Sequence, residues 1–124
     1  MNMRTPISRV RGLGSAKEGT NHWWMQRLTA VALIPLSVWF VFSMIYLGSA
    51  DHATVSAWLG TPLTAVLMLL LIVSVFYHMQ LGLQVVIEDY IHGEAAKIIC
   101  LVGLKLGCVA LGIAGVFAVL KVAF

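Results

Sequence analysis

Charge is what this sequence has least of. Acidic residues number five in 124, and none precedes Glu18. Asp, Glu, Lys and Arg together make up 10% of the chain, against 60% hydrophobic residues. Water-soluble domains carry about 25% charged residues. A soluble fold of this composition would expose more apolar surface than stays dissolved. Cysteine is nearly absent too. Cys100 and Cys108 stand eight positions apart, about 12 Å of rise on a helix, too far for a mutual disulfide. Neither has a Cys or His neighbour at metal spacing, so both read as small apolar packing residues. An iron–sulfur cluster, which needs a set of cysteines, is excluded. Repeats and low-complexity tracts are missing, and so little polar mass leaves no room for a catalytic domain.

Three apolar runs are present instead, at about 28–47, 62–87 and 98–120. The first holds twenty residues without a charge, enough to cross about 30 Å of hydrocarbon. Pro35 inside it is tolerated, because membrane helices re-satisfy a freed carbonyl locally. The second is long for one crossing, so it tilts or projects into water. Along the third run Gly103, Gly107, Gly112 and Gly115 let helix backbones approach closely. Lys105 within it either snorkels to the near interface, the favoured reading, or faces a polar cavity. The expectation is an all-α integral membrane fold. Three transmembrane helices (28–124) follow a cytoplasmic N-terminal segment (1–27).

Charge placement sets the orientation. Arg4, Arg9, Arg11, Lys17 and Arg27 precede or open the first run, whereas the loop at 48–61 has no Lys or Arg and carries Asp51. The positive-inside rule puts the N-terminus and second loop in the cytoplasm, and the first loop and C-terminus outside. The basic residues suit anionic lipid headgroups rather than nucleic acid. Trp23 and Trp24 mark the inner interface, and Trp58 the outer one. The stretch 12–21, with three glycines, is expected to be a flexible or partner-ordered lead-in. The first twenty residues lack the apolar core of a secretory signal and faintly resemble a mitochondrial transit peptide. The start at Met1 favours an uncleaved chain, and a bacterial inner membrane is the preferred location.

His78 breaks the second run. A titratable ring in hydrocarbon is costly and usually has a partner or a task. With the N-terminus inside, it lies two to three turns below the cytoplasmic interface. Asp89 follows eleven residues later, within about 20° of the same helical stripe and about 16 Å along it. Gly82, four residues on, leaves room for something flat beside the imidazole. A haem fits, since neutral imidazole is a common axial ligand for its iron. Arg27, at interface depth, could fork onto its propionates, assisted by His22. Taken singly, the residues have plainer readings: His78 as an interhelical hydrogen bonder, Arg27 as a snorkelling anchor, Asp89 and Tyr90 as interface residues. His52 and His92 are loop residues facing water. With no second histidine at membrane depth, a six-coordinate haem needs its other ligand from another subunit.

The segment HMQLGLQVVIEDYIH, residues 78–92, resembles the second helix of the small membrane-anchor subunits of succinate dehydrogenase, respiratory complex II. The family's helix-two histidine, the glycine four on and the Asp-Tyr pair match as His78, Gly82, Asp89 and Tyr90. The stretch HWWMQRLTA resembles the family's entry into helix one, with Arg27 followed by a small-residue pair. The helix number and spacing agree, so the likeness covers nearly the whole chain. One departure is His22, which some relatives place one residue further from the arginine.

The resemblance implies a non-catalytic subunit of an enzyme complex. His78 would be one axial ligand of a haem b shared with a second membrane anchor (cytochrome b) subunit. Tyr90 would hydrogen-bond a ubiquinone carbonyl, Asp89 would orient polar groups or deliver protons, and Arg27 would lie near the propionates and quinone. An iron–sulfur subunit and a flavoprotein subunit would complete the complex, with membrane lipid around it. Two rivals remain: a haem-free anchor of a fumarate reductase-type complex, and a small transporter or assembly protein with His78 and Lys105 on a polar path.

Overall fold

The structure is a computed structural model that describes residues 5–12 and 19–124. Arg4, Lys17 and most of the expected lead-in lie outside those residues. Among the described residues five helices occur: α1 (Pro6–Val10), α2 (Gly19–Tyr46), α3 (His52–Leu59), α4 (Pro62–Tyr90) and α5 (Glu94–Ala123). Three of them, α2, α4 and α5, are long and apolar enough to cross a membrane. α4 and α5 contain the second and third apolar runs and extend past them, and α2 holds the first up to Tyr46. α2 begins at Gly19, nine residues before the first run. It also passes unbroken through Pro35. The all-α, three-span expectation therefore stands.

α4 is the middle helix, with α2 packed on one side and α5 on the other. The glycine-bearing face of α5 explains the second contact. A Cβ at Gly115 would come within 3.2 Å of Ile72, and one at Gly112 within 3.8 Å of Phe76. Gly103 and Gly107 meet nothing within 4 Å. Of the four glycines, two thus serve the packing of this chain upon itself. Cys100 and Cys108 are free, the latter buried, as packing residues should be.

Large apolar side chains face outward on every span. Phe42 is 68% exposed, Ile99 70% and Phe117 65%. In water such faces would drive aggregation, whereas in a bilayer acyl chains or neighbouring helices cover them.

The first loop differs from its sequence reading as plain loop. Residues His52–Leu59 form α3. Asp51 caps it, its Oδ1 accepting from the Thr54 N–H at 2.9 Å, which satisfies one of the orphan donors of a helix start. His52 therefore opens a helix, and remains exposed. α3 lies across the far end of the bundle. Ser56 Oγ donates to the Val122 carbonyl at 2.9 Å, and the Gly60 Cα lies so close to α5 that a Cβ would sit 3.1 Å from the Ala123 oxygen. Trp58 stacks on Trp39 of α2, with ring centroids 5.8 Å apart and planes 17° apart. Both indoles thus share the end of the bundle where an outer aromatic belt was expected.

Hydrogen bonds from Thr54 hold the Asp51 carboxyl below its ordinary value of 3.8, with a smaller pull from His52. A carboxylate with a depressed value stabilises the fold above the unfolded value and loses that contribution as pH falls through the folded one. Protection of the α3 amides, normalised for intrinsic exchange, should be flat from neutral pH down to about 4 and should fall only below the ordinary carboxylate range. Asp51→Ala should show lower protection throughout and no fall at acid pH, having no carboxylate to protonate. Hydrogen-exchange mass spectrometry on the assembled protein reads both.

Candidate functional site

His78 lies half-buried on the α4 face turned to α2. Its Nδ1 is 3.0 Å from Thr29 Oγ1. Thr29 is one of the few buried residues, at 7% exposure. The same hydroxyl points at two carbonyls of its own helix, Met25 at 2.7 Å and Gln26 at 3.1 Å. A hydroxyl has one proton. Its closest approach is to the Met25 carbonyl, an acceptor only, so the proton lies there. Oγ1 then accepts, and His78 Nδ1–H donates. In that tautomer Nε2 keeps its lone pair. Among the described residues no protein group bonds Nε2. The interhelical reading of His78 and the ligand reading are therefore compatible, because they use different nitrogens.

The seam around this pair is polar. His22, Gln26 and Thr29 fall within about 60° on one stripe of α2. His22 Nε2 and Gln26 Oε1 are buried without a hydrogen-bond partner. Buried polar atoms are normally satisfied, and an orphan asks for a group from elsewhere. Gly82 sits one turn from His78, and a Cβ there would meet only the Gln26 amide nitrogen, at 3.8 Å. A free imidazole nitrogen, a cradle without a side chain and an orphaned amide oxygen are a donor set that suits a flat metallated ring. Among the described residues no cluster of three or more His, Cys, Asp or Glu could hold a metal ion by itself.

The other candidates stand apart from this pair. Arg27 is exposed, and its guanidinium carbon lies 5.4 Å from the Trp23 ring centroid, a cation–π contact. It precedes Thr29 by two residues, about 200° around α2, so it points away from the α4 seam. Asp89 and Tyr90 end α4, both exposed, Tyr90 at 77%. Because α4 runs unbroken from His78 to Tyr90, the rise between them is about 18 Å. His22 does not join Arg27. It lines a cavity of about 430 Å³ between α2, α4 and α5, together with Tyr77, Gln80, Gln84, Glu88 and Lys105. Lys105 is exposed and borders this open cavity, so both readings of it stand.

The description "Succinate dehydrogenase/Fumarate reductase transmembrane subunit" belongs to the family model that matches residues 1–117. The chain belongs to this family. It is 32% identical over 116 residues, 94% of its length and 93% of the other's, to the succinate dehydrogenase hydrophobic membrane anchor subunit of Rickettsia bellii (strain RML369-C). It is 36% identical over 86 residues, 67% of its length and 72% of the other's, to the succinate dehydrogenase membrane anchor subunit of Reclinomonas americana. The same kind of subunit from Paracoccus denitrificans is 32% identical over 93 residues, covering 75% and 72%. The chain is thus a membrane-anchor subunit of succinate dehydrogenase, a non-catalytic part of its complex.

Sequence reasoning about this anchor subunit missed Thr29, Gln26 and the cavity. Thr29 gave little signal, since a threonine inside a membrane helix usually bonds its own backbone. The cavity gave more. Tyr77, Gln80, Gln84 and Glu88 recur at helical spacing and form a second polar stripe on α4, one step round from His78.

Thr29→Val keeps the shape and removes the oxygen that accepts the Nδ1–H. It should cost the assembled complex about 1–3 kcal/mol, the penalty of a buried donor left unpaired. Thr29→Ser should cost less. A double-mutant cycle with His78→Leu, read by thermal denaturation in detergent, should show coupling between the two sites. Additive losses would mean that the bond carries no energy.

Proposed function

We propose that this anchor subunit supplies His78 as one axial ligand of a haem b shared with a second anchor subunit, and forms one wall of the ubiquinone-reduction site through Tyr90 and Asp89. The observation that carries the reading is the Thr29–His78 hydrogen bond. Ligand histidines donate their other ring N–H to a fixed acceptor, which sets ring orientation and raises ligand basicity. His78 does so through Nδ1, and Nε2 faces the metal role. Gly82 leaves the ring its space, and the Gln26 amide and His22 imidazole are the orphaned polar groups nearest to hand. Haem b, when bound, supplies a one-electron redox centre. Arg27, on the outward side of α2, would meet propionates or quinone only where a partner subunit closes over that side.

The quinone chemistry needs two electrons and two protons. Tyr90 ends the helix where it reaches water, so its phenol can donate to a quinone carbonyl oxygen. That bond strengthens as negative charge grows on the oxygen. Asp89, its neighbour, is exposed to the same water and can relay the proton that the reduced oxygen takes up. Electrons come from an iron–sulfur subunit docked on the N-terminal side, because two distant cysteines cannot hold a cluster. A flavoprotein subunit carries the succinate chemistry. In this reading the N-terminus is cytoplasmic and the membrane is the bacterial inner membrane.

Two variants test this separately. Tyr90→Phe should lower ubiquinone reduction on the order of 10²-fold, as for loss of one donor aimed at developing charge. Succinate oxidation by an artificial acceptor should survive, and equal loss of both would make Tyr90 an assembly residue. His78→Ala should abolish or shift the b-type α band of the purified complex and move its midpoint potential, with a smaller effect on turnover than Tyr90→Phe. A band and potential unchanged in that variant would remove His78 from the iron.

A further inference from the structure

α2 has a weak point between two of its contacts. Pro35 lies inside it and offers no N–H to the Val31 carbonyl, so one rung of the helix ladder is missing there. Helices bend most readily at such a proline. Ser43 Oγ adds to this, donating to the Trp39 carbonyl at 2.8 Å, a local bond that also bends helices. Yet α2 runs unbroken from Gly19 to Tyr46. Six residues before the proline stands Thr29, bonded to His78 at 3.0 Å. Four residues after it stands Trp39, stacked on Trp58 of α3. Each half of α2 therefore has a side-chain fastening of its own, with the proline between them.

α3 is itself anchored on α5. Ser56 Oγ donates to the Val122 carbonyl at 2.9 Å, one of the last four carbonyls of α5, which have no partner within their helix. The Gly60 backbone approaches the same helix end, where a Cβ would sit 3.1 Å from the Ala123 oxygen. α5 in turn is packed on α4 through Gly112 and Gly115. Among the described residues α2 packs on α4 but not on α5. The route from α5 to the C-terminal half of α2 thus runs through α3. An indole near a membrane surface is often a plain lipid anchor. A plain anchor has no need of a second indole 5.8 Å away and 17° from parallel.

We infer that α3 is a strap that holds α2 straight across Pro35, with Trp58 on Trp39 as its fastening, and that Trp58 is thereby a positioning residue for the Thr29–His78 pair. Supports on both sides of a hinge fix the tilt of the helix between them. Released at Trp58, α2 rocks about its proline, and the Thr29 hydroxyl loses its fixed distance to His78 Nδ1. The effect on a haem at His78 rests on the function proposed above, whereas the strap itself does not.

The test uses the whole complex in mild detergent. Hydrogen-exchange mass spectrometry over residues 36–46 reads the strap. Trp58→Ala should raise exchange there about two- to ten-fold, the weight of one aromatic pair, and Trp58→Phe should restore most of the protection. Ser56→Ala removes one hydrogen bond and leaves the indoles in place, so it should act in the same direction and more weakly. Pro35→Ala closes the ladder at the hinge, and in that background Trp58→Ala should no longer raise exchange at residues 24–34. The second readout is the haem midpoint potential. Trp58→Ala should shift it in the same direction as Thr29→Val, and the double variant should shift it no further than Thr29→Val alone, because effects that share one path do not add. Unchanged exchange in Trp58→Ala would overturn the strap. A fully additive shift in the double variant would overturn its action through Thr29. Raised exchange in a complex with no haem at His78 would support the strap and count against the haem reading alone.

Discussion

One proton on one hydroxyl organises this molecule. Thr29 points its O–H at the Met25 carbonyl of its own helix, so its lone pair must face outward, and the group it faces is the His78 imidazole. The bond is worth little as energy, about 0.5–1.5 kcal/mol net for a typical pair. Its larger effect is directional. It registers α2 against α4 at one depth and holds the ring in one tautomer. It also turns the other nitrogen out as a base. Remove the hydroxyl, and the imidazole is free to rotate or to take its proton on the other nitrogen. Either change alters which ring nitrogen offers its lone pair.

The rest of the chain has little else to hold it in shape. Apart from Thr29 the buried residues are a few apolar side chains scattered along three spans, among them Ala65, Leu71 and Leu81 on α4. Lipid tails are as apolar as leucine, so burial between helices gains little in a bilayer. Close approach at Gly112 and Gly115 and polar contact at Thr29 therefore decide which faces meet. The faces left bare are extensive, as expected of an anchor whose remaining neighbours are other subunits and lipid. A soluble protein would be judged unfinished on such a surface. Here the surface is where the complex continues.

What the sequence made readable follows from how many residues each feature engages. The spans were legible because a whole run of twenty residues must be apolar to cross a bilayer, and no local accident hides that. The His78–Asp89 stripe was legible because α4 is long and unbroken, so counting at 100° per residue stays true from one end to the other. Arg27 shows where counting alone was not carried far enough: two residues from Thr29 put it on the far side of α2. α3 was hidden because eight residues rich in Ala, Ser and Thr have no amphipathic signature, and its cap is a single aspartate. Thr29 was hidden because its role depends on a partner 49 residues away, a separation no local pattern reports.

The two polar features of α4 are adjacent without being one. His78 and Tyr77 are consecutive, hence about 100° apart on the helix, and Gln84 and Glu88 lie on Tyr77's side. A single helix thereby presents an imidazole to α2 and a polar cavity wall towards α5. Among the described residues His22 stands on the α2 stripe with Thr29 and also lines the cavity.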